Sequence, residues 1–127
     1  MDAVRPDRSE STDGWQVICL CAAWCGVCRE WSAVFEALAL AHPQVRFDWV
    51  DVEDEAEAMG DIDIETFPTL LIAQGRRARF FGPVQPSPTQ VGRLLDSLLA
   101  DPRGTREAAP EAGALLHRLQ ATVLPKR

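Results

Sequence analysis

No stretch of the 127 residues is apolar for long enough to cross a bilayer, and the longest candidate, Val17 to Trp24, has only the length of a strand. The opening residues, MDAVRPDRSESTDG, lack the apolar core of a secretory leader, so the chain is expected to stay in the cytoplasm. No basic stripe is present. Eight of the 19 acidic residues crowd between Asp51 and Glu65 with no base among them, leaving 11 acids against 13 bases elsewhere. The net charge of −6 is therefore one local patch, which repels phosphate backbones and excludes nucleic acid as an expected partner. The patch reads as a solvated loop and helix face. Only two histidines occur, His42 and His117, both far in sequence from any cysteine, so nothing argues for a Cys–His hydrolase. No cysteine lies outside the ten residues that hold Cys19, Cys21, Cys25 and Cys28. A secreted scaffold spreads its cysteines to staple distant segments. A single cluster marks a site or a local accident instead. Internal repeats are also lacking.

What is present fits one compact α/β domain, with 46% apolar and 25% charged residues. Residues 1–13 form a polar lead-in, 14–100 the domain, and 101–127 an extension that starts with the breaker Asp101-Pro102-Arg103-Gly104. Trp15 to Ala22 reads as a strand buried on both faces. Arg29 to Ala41 carries Trp31, Phe35 and Leu38 at helical spacing and ends at His42-Pro43. Val45 to Val52 is a second strand, and Glu53 to Gly60 has room for a short helix. Thr69 to Ala73 and Arg76 to Phe81 flank Gln74-Gly75 as a hairpin. Pro88 to Leu99 is a helix with Val91, Leu94, Leu95 and Leu98 on one face. Leu115, Leu116, Leu119 and Val123 predict a last helix over 110–123, packed on its own domain. Strand–helix–strand followed by a hairpin implies a mixed sheet, parallel in its first pair and antiparallel in its last, with helices on both faces. Trp15, Trp31 and Trp49 are expected in the core. Arg76, Arg77 and Arg79 are expected on a solvated strand face, and His42 at a helix end on the surface.

Cys25-Gly26-Val27-Cys28 then falls at the carboxyl end of a central strand, where open α/β sheets place their sites. A cysteine at a helix start lies near free backbone N–H groups and the positive end of the helix dipole, and both favour thiolate over thiol. Cys28 is one turn further on the same side. Cys25 is thus suited to attack a disulfide and Cys28 to resolve the mixed disulfide, leaving a Cys25–Cys28 bridge. Gly26 keeps the loop narrow. The bland alternative is a structural pair. Cys19 and Cys21 are expected to point to opposite faces of their strand, or one to be shared with the core, as small packing residues, with a secondary redox or proton role open for Cys19. C-x-C-x₃-C-x₂-C also offers four thiolates to a metal, but cysteines straddling a pleat would not converge, so no metal site and no cofactor is expected.

The motif Trp24-Cys25-Gly26-Val27-Cys28, followed in order by Phe67-Pro68-Thr69 and Gly82, resembles the thioredoxin family over about residues 14–100. The resemblance implies a thioredoxin fold with a shortened N-terminus and a C-terminal helical extension. It implies a cis Pro68 beside the cysteines and a substrate groove built from Trp24, Gly26, Phe67, Pro68, Thr69 and Gly82. It further implies a monomer exchanging disulfides with protein substrates, with a thioredoxin-reductase-type electron donor. Two positions depart from the family: Cys19 stands where a buried Asp is usual and Trp49 where a Lys is usual. Val27 in place of Pro implies a shifted redox potential. These departures motivate a rival, a binding module that holds client chains in the same groove with little turnover.

Overall fold

The computed structural model describes residues 14–22, 25–60, 62, 64–104 and 107–122. Strand β1 spans Trp15–Cys21, helix α1 Gly26–Ala41, β2 Arg46–Asp51, α2 Ala56–Met59, β3 Thr69–Gln74, β4 Arg77–Pro83, α3 Pro88–Leu99 and α4 Pro110–Thr122. The four strands form one sheet in the order β2-β1-β3-β4. β1 runs parallel to β2, so α1 must carry the chain back across the sheet between them. β3 pairs antiparallel with β1 and with β4. Gly75, at φ +61°, supplies the left-handed residue of the tight turn between β3 and β4. This is the mixed, helix-flanked sheet that the order of elements implies.

Both inner strands are buried on both sides, which explains why neither shows polar alternation. On one face Val17, Cys19 and Cys21 of β1 pack with Leu70 and Ile72 under α1 and α3, through Trp31, Phe35, Leu38, Val91 and Leu95. On the other, Ile18, Leu20, Leu71 and Ala73 lie under α2 and α4. Ser87 caps α3 by accepting from the Gln90 N–H at 3.2 Å, with Pro88 at the first helical position. His42 ends α1, where Nδ1 meets the Leu38 carbonyl oxygen at 2.9 Å and Nε2 meets Asp96 at 3.2 Å.

Three expectations need correction. Cys19 and Cys21 do not straddle the pleat. Residues i and i+2 of a strand share a face, and their sulfurs sit 3.6 Å apart in one core. Trp49 is 40% exposed, because β2 is an edge strand; Phe35 meets its ring edge-on at 5.7 Å. Arg79 is buried rather than solvated. The register of β3 with β4 skips it between Ile72 and Ala73, and this bulge turns its side chain inward. Its guanidinium donates to Gln74 Oε1 at 2.6 Å and to the Asp101 carbonyl at 3.1 Å, and lies 5.2 Å from the centre of the half-buried Trp15 ring. Arg77 stays at the surface and pairs with Glu107.

Candidate functional site: a cysteine cluster at the end of a central strand

β1 ends at Cys21 beside the end of β2, and the Cys21 carbonyl accepts from the Val52 N–H at 2.9 Å. The Cys25 N–H donates to the Ala22 carbonyl at 3.0 Å. Cys25 is the N-cap of α1 in an extended conformation, half-buried, and its side chain makes no capping hydrogen bond. Gly26 and Val27 are exposed in the first turn, and Cys28, at 1% exposure, turns into the core. A Cβ on Gly26 would meet nothing closer than Arg29 at 3.8 Å, so the chain itself has no steric need for glycine there. Trp24 lies outside the described residues.

The cysteines are joined differently from the expectation. The disulfide links Cys21 and Cys28, whose Cα atoms are 6.0 Å apart, while Cys25 and Cys19 are free. The hydrogen bond between Cys25 and Ala22 holds the first turn of α1 close to the end of β1, and a Cα spacing of about 4.4–6.8 Å is what a bridge needs. Cys21 is the residue the sequence reading missed as a sulfur partner. The signal for it was there: a cysteine ending the central strand, on the same face as Cys19.

Cys19 is fully buried and lies opposite Trp49 in the register of β1 with β2. Burial pushes its thiol from 9.0 up to about 12, and the neighbouring Trp31 indole offsets this only in part. Trp31 Nε1 makes no hydrogen bond of good geometry. With Cys21 bridged, only Cys19 has a proton to donate across their 3.6 Å contact. A thiol this weakly acidic stays neutral at physiological pH and does not act there as a base.

The Phe67–Pro68 peptide is cis and Pro68 is buried. Thr69 is level with Leu20 in the register, which places Pro68 level with Cys21. The Thr69 hydroxyl donates to the Thr66 carbonyl at 2.6 Å, and the Pro68 carbonyl accepts from the Val84 N–H at 3.1 Å, so both sides of the proline are pinned. Phe67 and Cys25 both pack against the core cluster that contains Cys21 and Cys28. Gly82 lies opposite Leu70, one register step from Thr69. Cys25, Cys28, Phe67, Pro68, Thr69 and Gly82 therefore gather at one end of the sheet. Among the described residues no group of three or more His, Cys, Asp or Glu is arranged to hold a metal ion. No described helix is long and apolar enough to cross a membrane.

Fold and site together define an α/β protein with bonded cysteines at the carboxyl end of a central strand. The family model for thioredoxin matches residues 9–86. A Streptomyces coelicolor protein assigned to the thioredoxins is 32% identical over 95 residues, covering 75% of this chain and 65% of that protein. Rice Thioredoxin H2-1 is 35% identical over 69 residues, covering 54% of this chain and 50% of the rice protein. Among solved structures, Fasciola hepatica thioredoxin matches with a TM-score of 0.61 at 26% identity, over 69% of this chain and 85% of that one. Trypanosoma brucei brucei thioredoxin matches with a TM-score of 0.62 at 25% identity, over 70% and 78%. The chain belongs to the thioredoxin family. It spans less than two thirds of the length of the two curated relatives named here.

Proposed function

We propose that the protein is a thiol–disulfide oxidoreductase acting on protein disulfides, with Cys25 as nucleophile and Cys28 as resolving thiol. The observation that carries this is the placement of the two sulfurs in a thioredoxin frame. Cys25 is accessible at the N-terminus of a 16-residue helix, and Cys28 is buried one turn along the same helix. Free N–H groups and the helix dipole stabilise negative charge at that end, and the first turn of α1 holds no acidic residue to oppose them. Cys25 attacks the substrate disulfide, forms a mixed disulfide and releases one substrate thiol. Cys28 then attacks Cys25 Sγ, frees the second substrate thiol and leaves a Cys25–Cys28 bridge. A reductase-type dithiol donor returns the pair to the reduced state. Phe67, cis-Pro68, Thr69 and Gly82 form the wall against which a substrate backbone lies.

Cysteines at bonding distance support exchange over passive holding of a client chain, which needs no such pair. Insulin reduction with dithiothreitol as donor tests the reading. Cys25→Ser is expected to fall to the uncatalysed rate. Cys28→Ser is expected to stall as a mixed disulfide, visible as a mass adduct on Cys25. Wild-type protein no faster than Cys25→Ser would refute it.

A further inference from the structure

We propose that Cys21 is a third redox-active cysteine, and that the stable oxidised form is a buried Cys21–Cys28 bridge that leaves Cys25 as a free thiol. The inference rests on the exchange reading above and extends it.

The proposed cycle ends on a Cys25–Cys28 bridge, yet the bridge in the structure is Cys21–Cys28. Cys28 is thus within reach of a sulfur on the strand as well as of its neighbour one turn away. Cys21 is 0% and Cys28 1% exposed, whereas Cys25 is half-buried at the helix start. Passage between the two bridges is an internal exchange. Cys21 gives up its proton as it attacks Cys28 Sγ; the Cys21–Cys28 bond forms and the Cys25–Cys28 bond breaks. The electron pair departs on Cys25 Sγ, and the proton lost by Cys21 is made up at Cys25 from solvent. One disulfide replaces another, and no outside oxidant or reductant is consumed. The direction follows from solvation. Of the two sulfurs competing for Cys28, the accessible one keeps its contact with water when left free, and a neutral bridge is cheap to bury.

Two consequences follow for the site. In this oxidised form Cys28 is occupied, so Cys25 is a single reactive thiol with no resolving partner. A reductant in solvent reaches the core bridge through Cys25, whose thiolate reopens it by attacking Cys28. Cys21 thereby decides whether oxidised protein presents a disulfide or a thiol to its partners.

The test is to oxidise the whole chain with diamide and unfold it in excess maleimide to block every free thiol. The remaining bridge is then reduced and labelled with a heavier maleimide. Chymotryptic cleavage after Trp24 separates Cys21 from the other pair for mass spectrometry. Heavy label on Cys21 and Cys28, with light label on Cys19 and Cys25, is the expected result. Heavy label on Cys25 and Cys28 overturns the proposal while leaving the exchange reading intact. The expected labelling in a protein that does not speed insulin reduction sinks the exchange reading alone. Cys25→Ser, a near-isosteric change at the half-buried helix start, gives a second readout. It is expected to form the same bridge and to lose it to dithiothreitol about tenfold more slowly than wild type, because the surface thiol is missing. A Cys25→Ser protein that keeps all three thiols after diamide, or is reduced as fast as wild type, overturns the proposal.

Discussion

Cys19 occupies a position where the family resemblance implies a buried carboxylate, and burial alone decides what its thiol can do. Desolvation moves it from 9.0 to about 12. Between those values the unfolded chain has released this proton and the native chain still holds it, so native stability falls as pH rises through that window. Below pH 9 the contribution is fully present. With Cys21 and Cys28 bridged and unable to titrate, no tyrosine in the chain and Lys126 its single lysine, the alkaline background is small in the oxidised protein. Cys19→Ala is expected to cost stability at neutral pH through the cavity it leaves. It is also expected to remove about 2–3 kcal/mol of the alkaline loss between pH 8 and pH 11 in urea unfolding. An unchanged alkaline slope would show that the thiol titrates normally in the fold. The identity of residue 19 was plain in the sequence, but its neutrality was not, because that depends on the layers of side chain above and below it.

Among the elements, β4 shows how one skipped register position changes a residue's role. Reading Arg76, Arg77 and Arg79 together as a solvated face assumes a regular hairpin. The bulge opposite Ile72 and Ala73 breaks the alternation and buries Arg79, where it ties β4 to Gln74 of β3 and to the loop after α3. Arg79→Ala leaves the buried Gln74 Oε1 without this donor and strips the Trp15 ring of its cation. A loss of about 2–4 kcal/mol in chemical unfolding is expected. Arg77→Ala, removing an exposed pair with Glu107 and an exposed hydrogen bond to the Gly104 carbonyl, serves as the control and is expected within about 1 kcal/mol of wild type. Equal effects of the two substitutions would contradict the burial argument. The helices were easier to foresee. Trp31, Phe35 and Leu38, and Val91, Leu94, Leu95 and Leu98, each mark one helical face, and all are buried except Leu94, which is half-buried.

For the molecule as a whole, the sheet has two apolar faces and each needs a cover. α1 and α3 cover the face that carries the cysteines. The other face has α2, four residues long, and α4, which lies beyond the family match at residues 9–86. Ala112, Leu115, Leu116 and Leu119 of α4 are all 0% exposed. Arg118 donates to the Ala58 and Met59 carbonyls of α2 at 2.6 and 3.1 Å, and Gln120 donates to the Gly75 carbonyl at 3.0 Å. The tail helix is therefore part of the core. Leu116→Ala is expected to destabilise the protein by about 2–5 kcal/mol. The Cys25 side of the sheet is on the opposite face, so insulin reduction below the unfolding midpoint should be unaffected. A fall in that activity while the protein remains folded would link the two faces.

By itself the sequence determined the alternation of strands and helices, the two-faced sheet, the helix start at the cysteine motif and the packing helix in the tail. These are properties of spacing and local chemistry: unbroken apolar runs for the inner strands, a period of 3.6 for the helices, a glycine in the turn. The tertiary structure alone decided that Trp49 lies on an edge, that a bulge hides Arg79, and that Cys28 is bonded to Cys21 rather than to Cys25. Sequence separation favours the nearer cysteine. The fold sets the last residue of a central strand under the first turn of a helix, and a sulfur bonds to what lies beside it in space.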